Sequence, residues 1–120
     1  VGVGQSMYRI ADYVQANCEG TGILLQAIID RERPIEGLVV ASSMSIYGEG
    51  QYRCEAHGTL YPPLRPVAQL ERGDWEMRCP ACDAVLSPAP TPEAKPLHPT
   101  SVYAVSKRVL EVLFHSVGGA

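Results

Sequence analysis

Apolar side chains recur at helical spacing in the first third of this 120-residue chain. A first stripe has members three or four residues apart, namely Met7, Ile10, Val14 and Cys18. This stripe predicts one face of a helix, with Ser6 as its N-cap. The pattern resumes after Gly20-Thr21-Gly22 and ends near residue 33. Because glycine destabilises a helix interior, these two glycines indicate either a close approach by another backbone or a ligand, or a break between two shorter helices.

A second helix is predicted from Thr100 to about Val117. Its apolar stripe consists of Val102, Val105, Val109, Val112 and Leu113. Thr100 or Ser101 would cap this helix, and Gly118-Gly119 would end it. Between the two helices, the short β-branched run from Leu38 to Ser42 predicts a strand that is buried on both faces.

A lone buried strand is physically incomplete, because its backbone groups need neighbouring strands and its two faces need helices. Nine of the ten prolines lie between Pro62 and Pro99, so the middle of the chain cannot hold long helices. The order of helix, strand, Pro-rich excursion and helix therefore predicts a piece of a larger α/β domain.

Composition excludes several classes of protein. The chain is 46% apolar and 19% charged, which is typical of a globular protein and not of a disordered tail or a coiled coil. Its net charge of -3 argues against a nucleic-acid surface, and its apolar runs are too short to cross a membrane. No signal peptide is expected, because Val1-Gly2-Val3-Gly4 lacks a basic region followed by a long apolar run, and the four cysteines are too few and too unevenly spaced for a disulfide scaffold. We therefore expect a cytoplasmic protein with no nucleic-acid or membrane partner.

Tyr103 and Lys107 are the first candidates for chemistry. They lie at i and i+4, on one face of the second helix. A free tyrosine is a poor base at neutral pH, and a neighbouring ammonium favours the phenolate. Taken alone, such a pair is more often a solvated helix face.

Three motifs in order change this interpretation. They are Asn17-Cys18-Glu19-Gly20-Thr21, the run from Ala41 to Gly48, and the run from Pro99 to Lys107. Together they resemble the extended short-chain dehydrogenase/reductases, and most of all the NAD-dependent sugar-nucleotide epimerases and dehydratases. The resemblance covers residues 1 to about 50 and 97–120. It implies a partial Rossmann-like, doubly wound α/β domain, into which residues 51–96 are inserted.

The resemblance also implies a role for each matched residue. Ser43 would hydrogen-bond the reacting sugar oxygen, and Tyr103 would remove the hydroxyl proton while hydride passes to the nicotinamide. Lys107 would hold the nicotinamide ribose and favour the phenolate. Asn17 and Ser42 would complete the NAD contacts. Without the resemblance, Ser42 and Ser43 are simply strand-end hydroxyls that satisfy local backbone groups.

The positions after Ser43 favour one activity within the family. Dehydratases commonly carry acidic residues there, whereas Met44 and Ser45 cannot transfer a proton at neutral pH. This favours an epimerase, most simply a 4-epimerase of a UDP- or dTDP-hexose that works through a transient keto sugar. An NDP-sugar dehydratase or reductase is the alternative. Ser45 either contacts the substrate or is an ordinary turn residue.

Two departures from the family pattern limit what this chain does alone. The glycine-rich phosphate-binding turn is absent: no strand precedes Gly2-Val3-Gly4, and Met7 occupies the place of the third glycine. The substrate-binding C-terminal part is absent too. We therefore expect a segment of an epimerase that by itself neither holds NAD tightly nor turns over. The resemblance further implies a homodimer, formed through the two long helices.

The inserted segment carries a candidate metal site. Its ligands would be Cys54, His57, Cys79 and Cys82, in two close pairs with 21 residues between them. Three thiolates and one imidazole match tetrahedral Zn²⁺ and leave no open position, so the zinc would be structural. A Cys79–Cys82 redox pair and unliganded cysteines are the alternatives.

Metal binding would supply folding energy to a segment whose small apolar core consists mainly of Trp75, Leu60 and Leu70. Residues 51–99 hold five Lys or Arg against six Asp or Glu, so the zinc ribbon is not expected to bind nucleic acid. A lid or partner-docking role is expected instead. A second hypothesis of a different class is a zinc-dependent protein-interaction module without catalysis.

Overall fold

The computed structural model describes residues 2–31 and 34–118. In chain order its elements are a 3-10 turn (Gln5–Met7), α1 (Ile10–Val14), a π-helical turn (Gln15–Glu19), α2 (Gly20–Ile29), a second 3-10 turn (Met44–Tyr47), β1 (Gln51–Cys54), β2 (Gly58–Leu60), α3 (Val67–Glu71), β3 (Ser87–Ala89) and α4 (Val102–Gly118). The chain divides into two units. One is formed by both its ends, up to Ile46 and from Pro99 onward, and the other by its middle, Tyr47–His98. We call them the helical unit and the ribbon unit.

The first predicted helix continues past its two glycines. α1, the π-helical turn and α2 follow one another without a gap, so the expected break is wrong. The expected close approach is also wrong at Gly22, where an added Cβ would meet no atom within 4 Å. The irregularity is instead the π-helical turn, which ends immediately before Gly20. Such turns are rare and frequently occur at functional sites.

The helices bury faces that only partly match the predicted apolar stripes: of the side chains named below, Leu25 belongs to the predicted pattern and the others do not. In α1 and α2 the buried side chains are Tyr13, Thr21 and Leu25, which are spaced in multiples of four. In α4 they are Ala104, Ser106 and Leu110. Thr21, Ala104 and Ser106 are small or polar, and the other three are large.

The predicted apolar stripes meet in an open groove. Its lining includes Ile10, Val14, Cys18, Val102, Val105 and Val109. Several of these residues remain substantially exposed, such as Ile10 at 53% and Val105 at 48%. The pattern located both helices, but the stripes lie at the edge of their contact and not at its centre.

Capping of the helices differs between the two ends of the chain. Ser6 does not cap the first helix; it lies in the 3-10 turn and is fully buried. Ser101 caps α4 as expected, since its Oγ accepts the backbone N–H of Ala104 at 3.1 Å. α4 ends at Gly118, and Gly119 lies outside the described residues.

The segment from Leu38 to Ser42 does not form the predicted buried strand. It has no strand assignment, and Val39 is 97% exposed. Within the described part of the helical unit no strand is available to pair with its backbone, so water takes that place. The prediction of a buried strand is therefore wrong for the chain as it stands.

The ribbon unit contains an antiparallel sheet with the order β2-β1-β3. Tyr52 in the central strand pairs with Leu60 on one side and Pro88 on the other. β3 is an edge strand, where proline is tolerated because its missing N–H is not needed. A second hairpin is closed by Leu86, whose N–H donates to the Met77 carbonyl at 2.8 Å.

The core of the ribbon unit is small and sulfur-rich. It consists of Cys54, Met77, Cys79 and Leu86, with Tyr52 and Leu60 packed against it. The prediction for Leu60 is confirmed. That for Trp75 is wrong, because this side chain is 65% exposed, and Leu70 is only half-buried.

The described residues therefore form a mixed helical and antiparallel-sheet structure. A doubly wound parallel sheet is not among them, so the Rossmann-like part of the fold stays a prediction. No helix in these residues is long and apolar enough to cross a membrane.

Candidate functional site

Tyr103 and Lys107 lie in the first two turns of α4 and point into one cavity. The cavity has a volume of about 420 Å³, and Asn17 from the π-helical turn also lines it. Arg9 and Tyr13 line its remaining wall, among others. The structure thus brings together the phenol, the ammonium and the amide that the resemblance assigns to proton transfer and NAD contact.

Asn17 is held in this cavity by a serine of α4. Its Nδ2 donates to Ser106 Oγ at 2.9 Å, and Ser106 in turn donates to the carbonyl of Tyr103 at 2.9 Å. Ser106 is only 2% exposed, so these hydrogen bonds are shielded from water. The π-helical turn and the helix that carries Tyr103 are therefore joined by a buried polar chain.

Lys107 reaches the loop that contains the predicted serines. Its ammonium donates a short hydrogen bond to the carbonyl oxygen of Ala41, the residue before Ser42. This contact spans 66 positions of sequence. It holds the end of the exposed 38–42 segment against α4.

The predicted serines do not line the cavity. Ser43 Oγ accepts the backbone N–H of Ser45 at 3.2 Å and lies 3.1 Å from its hydroxyl. These are local hydrogen bonds of the kind that the non-catalytic interpretation anticipates. Ser42 Oγ is buried, and it has no hydrogen-bond partner within the described residues. The catalytic role of Ser43, the cofactor role of Ser42 and the substrate role of Ser45 remain predictions.

Sequence reasoning missed two residues that contact Tyr103. The ring of Tyr13 meets the ring of Tyr103 edge to face, with centroids 6.2 Å apart. Ser6 Oγ accepts the backbone N–H of Tyr103 at 3.0 Å, across 97 positions of sequence. Tyr13 could have been found from its spacing of four from Asn17, which places both on one helix face. No local sequence pattern indicates that Ser6 contacts Tyr103.

The ribbon unit brings the four candidate metal ligands together. Their donor atoms, from Cys54, His57, Cys79 and Cys82, all lie within 4.8 Å of one another. Cys54 ends β1, and His57 immediately precedes β2. Gly58 has φ +71°, a left-handed conformation that lets the chain turn back into β2. The first pair of ligands therefore lies in the β1–β2 turn.

The second pair of ligands lies in a turn with the same shape. The N–H of Cys79 donates to the Ala84 carbonyl at 2.8 Å, and the N–H of Asp83 donates to the Cys79 carbonyl at 2.9 Å. Asp83 adopts φ 60°, which is uncommon for a residue with a side chain but is tolerated by Asp. Each pair is thus presented by a tight turn at the end of a hairpin.

Three of the six distances between the donor atoms match those of a tetrahedral zinc site. Zn–S bonds of about 2.3 Å and Zn–N bonds of about 2.0 Å place two sulfurs about 3.8 Å apart, and a sulfur and a nitrogen about 3.5 Å apart. Cys54 Sγ is 3.7 Å from Cys82 Sγ, and His57 Nδ1 is 3.5 Å from both Cys54 Sγ and Cys79 Sγ. His57 therefore presents Nδ1 to the thiols, and the cluster is compatible with zinc.

Neighbouring groups shift the thiol pKa values in opposite directions. A hydrogen bond with the His57 side chain, which outweighs burial, lowers the pKa of Cys54 to about 6. At Cys82 the largest single effect, a hydrogen bond from the Ala84 backbone, lowers the pKa. Hydrogen bonding with Cys79, burial and the nearby Cys54 together outweigh it, so the Cys82 pKa is raised. Without a cation, these adjacent thiols resist full ionisation.

The fourth cysteine of the chain lies outside this cluster. Cys18 is half-buried beside the apolar groove of the helical unit. Burial raises its thiol pKa, which keeps it protonated and unreactive at neutral pH. Cys18 thus lies with the other members of the predicted apolar stripe that line this groove.

Comparison with known proteins links the chain to an enzyme. Over 111 residues, or 92% of this chain, it is 35% identical to a dTDP-L-rhamnose 4-epimerase from Burkholderia thailandensis. The chain spans 29% of the length of that protein. No protein-family profile matches the chain, and no solved structure matches it.

The matched stretch cannot be confined to the helical unit. The residues outside the match are far fewer than the residues of the ribbon unit, so the match must include most of the ribbon unit. The similarity therefore supports a relationship with a sugar-nucleotide epimerase over both units of the chain.

Proposed function

We propose that this chain is part of an NAD-dependent sugar-nucleotide epimerase and supplies the proton-transfer side of its active site. The observation that carries the proposal is the single cavity lined by Tyr103, Lys107 and Asn17. These are the residues that the sequence motifs single out, and the similarity to an epimerase supports the class of activity.

In the proposed reaction Tyr103 accepts the proton of a sugar hydroxyl and later returns it. Lys107, one helical turn further on, places a positive charge on the same side of α4. Asn17 fixes the wall of the cavity through its hydrogen bond to Ser106. NAD supplies the hydride acceptor and donor when it is bound. The contact of Ser43 with the reacting oxygen is proposed from the resemblance alone, because Ser43 does not line this cavity.

The residues of this chain fit only the reactive end of the cofactor. Tyr103, Lys107 and Asn17 offer hydrogen-bonding groups suited to a ribose and a nicotinamide. The glycine-rich turn that would hold the pyrophosphate is not in the sequence. We therefore propose that NAD binding and turnover need further residues, and that the chain alone is inactive.

The same proposal includes a homodimer that covers the apolar groove of the helical unit. The groove between α1 and α4 is lined largely by aliphatic side chains that remain open to solvent. Covering it would bury apolar surface, the main driving force for association. Val105→Glu should shift the complete protein from dimer to monomer in analytical ultracentrifugation. An unchanged sedimentation coefficient would remove this face from the interface.

For the ribbon unit we propose a structural Zn²⁺ held by Cys54, His57, Cys79 and Cys82. The tetrahedral donor distances support this ion, and four protein ligands leave no position for a substrate. Metal analysis of the purified protein should find one zinc per chain. A finding of no metal, together with a Cys79–Cys82 disulfide, would favour the redox pair instead.

The catalytic proposal is tested by Tyr103→Phe in the complete protein. The change removes the phenolic hydroxyl and keeps the ring, so turnover of NDP-hexoses should fall by about 100-fold or more while the zinc content stays the same. Tyr8→Phe is the matched control, because Tyr8 is 89% exposed and should retain full activity. Turnover retained by Tyr103→Phe would contradict the proposal.

Product analysis of the same reactions separates an epimerase from its alternatives. An epimerase returns a sugar of unchanged mass, whereas a dehydratase lowers the mass by one water and a reductase consumes reduced cofactor. Metal-dependent folding without any cofactor binding would instead support the protein-interaction module.

A further inference from the structure

We infer that Ser6 and Tyr13 are positioning residues for Tyr103, an inference that rests on the proposed function. Neither residue belongs to the motifs that identify the site. Both come from the N-terminal segment, and both contact Tyr103 directly.

Tyr103 occupies a position that is mobile in an isolated helix. It is the second residue of α4, and the first backbone N–H groups of a helix lack partners within the helix. Helix ends therefore fray, which would spread the phenol over several positions. Proton transfer requires the phenol to stay within hydrogen-bond reach of the substrate hydroxyl.

Ser6 removes this source of disorder. Its Oγ accepts the Tyr103 N–H at 3.0 Å and donates to the Val3 carbonyl at 2.6 Å. The second hydrogen bond holds the hydroxyl in place while it caps Tyr103. Ser6 has no solvent exposure. Water therefore cannot replace the hydroxyl, and the Tyr103 N–H depends on it.

Tyr13 restrains the side chain of the same residue. Its ring is only 8% exposed and meets the Tyr103 ring at an interplanar angle of 86°. Its hydroxyl accepts the Gly2 N–H at 3.0 Å and can donate to Gln5 Oε1 at 2.9 Å. One aromatic wall of the cavity is thus anchored to the same N-terminal segment that caps Tyr103.

Two serines allow a matched test of this inference. Ser6→Ala removes the acceptor of the Tyr103 N–H, whereas Ser101→Ala removes the acceptor of the Ala104 N–H in the same helical turn. Both variants lose one capping hydrogen bond and should destabilise α4 similarly. Only Ser6→Ala should make Tyr103 more mobile.

In the complete protein, Ser6→Ala should exchange the Tyr103 amide hydrogen about tenfold faster than the parent. Its kcat should fall about tenfold or more while KM changes little, because the ground-state contacts of the substrate remain. Ser101→Ala should show neither change to this extent. Ser6→Cys keeps a side chain of similar volume at the buried position but offers a weaker acceptor. Its kcat and its Tyr103 amide exchange rate should lie between those of the parent and those of Ser6→Ala, even if the alanine variant folds poorly.

The outcomes separate this inference from the proposed function. Faster exchange at Tyr103 with an unchanged kcat would overturn the positioning role and leave the epimerase proposal intact. Equal losses of kcat in Ser6→Ala and Ser101→Ala would show a general stability effect and also overturn it. Turnover retained by Tyr103→Phe would overturn the proposed function, and this inference with it.

Discussion

Cys54 and Cys82 would each give the proposed zinc one sulfur ligand, but the Cys54 side chain is buried and the Cys82 side chain is exposed. Cys54 is 2% exposed and belongs to the core of the ribbon unit, whereas Cys82 is exposed. Structural zinc sites contribute an apparent binding free energy of about 10–16 kcal/mol, or roughly 2.5–4 kcal/mol per ligand if it is shared equally. Replacing either cysteine with serine should therefore weaken zinc binding on the order of 100- to 1,000-fold.

The two variants should differ once the metal is removed. In zinc-free protein, Cys82→Ser is an ordinary surface change and should alter stability by less than about 0.5 kcal/mol. Cys54→Ser places a hydroxyl beside Met77 and Leu86, and its shorter bond draws the oxygen away from His57. It should cost about 1–3 kcal/mol even without zinc.

Hydrogen-exchange mass spectrometry with and without a chelator measures both effects. Chelation should deprotect residues 51–60, which form the β1–β2 hairpin, while residues 102–118 in α4 keep their protection. Cys18→Ala is the matched control, because Cys18 lies outside the cluster and should retain one zinc per chain. Full protection of residues 51–60 after chelation, or a full zinc content in Cys54→Ser, would refute the reasoning.

Three further predictions concern the ribbon unit, and each is measured on a variant that carries only the named substitution. Gly48→Ala should destabilise the unit more than Gly58→Ala in denaturant unfolding: both glycines have positive φ, but a methyl only at Gly48 would overlap a backbone carbonyl. Lys95→Met should lower the free energy of unfolding by about 1.5–3 kcal/mol, because the buried ammonium donates to two backbone carbonyls; an unchanged midpoint would contradict this. A hydrogen bond from Arg78 lowers the pKa of Asp74, so the pair stabilises the fold above the ordinary carboxyl pKa, and this contribution is lost as the pH falls through the lowered value. Arg78→Gln should move the Asp74 pKa back up in an NMR titration.

The sequence predicted the helices better than their buried faces. Spacings of three and four residues located α4 nearly to the residue, and Ser101 was correctly chosen as one of two candidate caps. The same spacings selected Val105 and Val109 as core, although Ala104 and Ser106 are buried instead. Hydropathy ranks valine above serine, but Ser106 is buried because its hydroxyl satisfies the half-buried amide of Asn17.

The predictability of the site depended on how local its contacts are. The four metal ligands come in pairs separated by two residues, and each pair lies in one turn, so spacing alone could group them. Tyr103 and Lys107 are one helical turn apart, but this spacing alone favoured a solvated helix face, and the three ordered motifs were needed to identify the pair. The contact of Ser6 with Tyr103 joins residues 97 positions apart, and no local pattern encodes such a contact.

The 38–42 segment shows how a wrong structural prediction can still be informative. Its continuous apolar run is typical of a strand covered on both sides, yet Val39 is 97% exposed and Leu38 is 44% exposed. A chain in water gains nothing from exposing such a run, because burying each aliphatic side chain is worth about 1.5–3 kcal/mol. Lys107 already holds the end of this segment against α4, so its backbone is placed where pairing strands could reach it. In the proposed epimerase these strands would come from residues beyond this chain, and protection of the 38–42 amides in the complete protein, together with their rapid exchange in the chain alone, would support that arrangement.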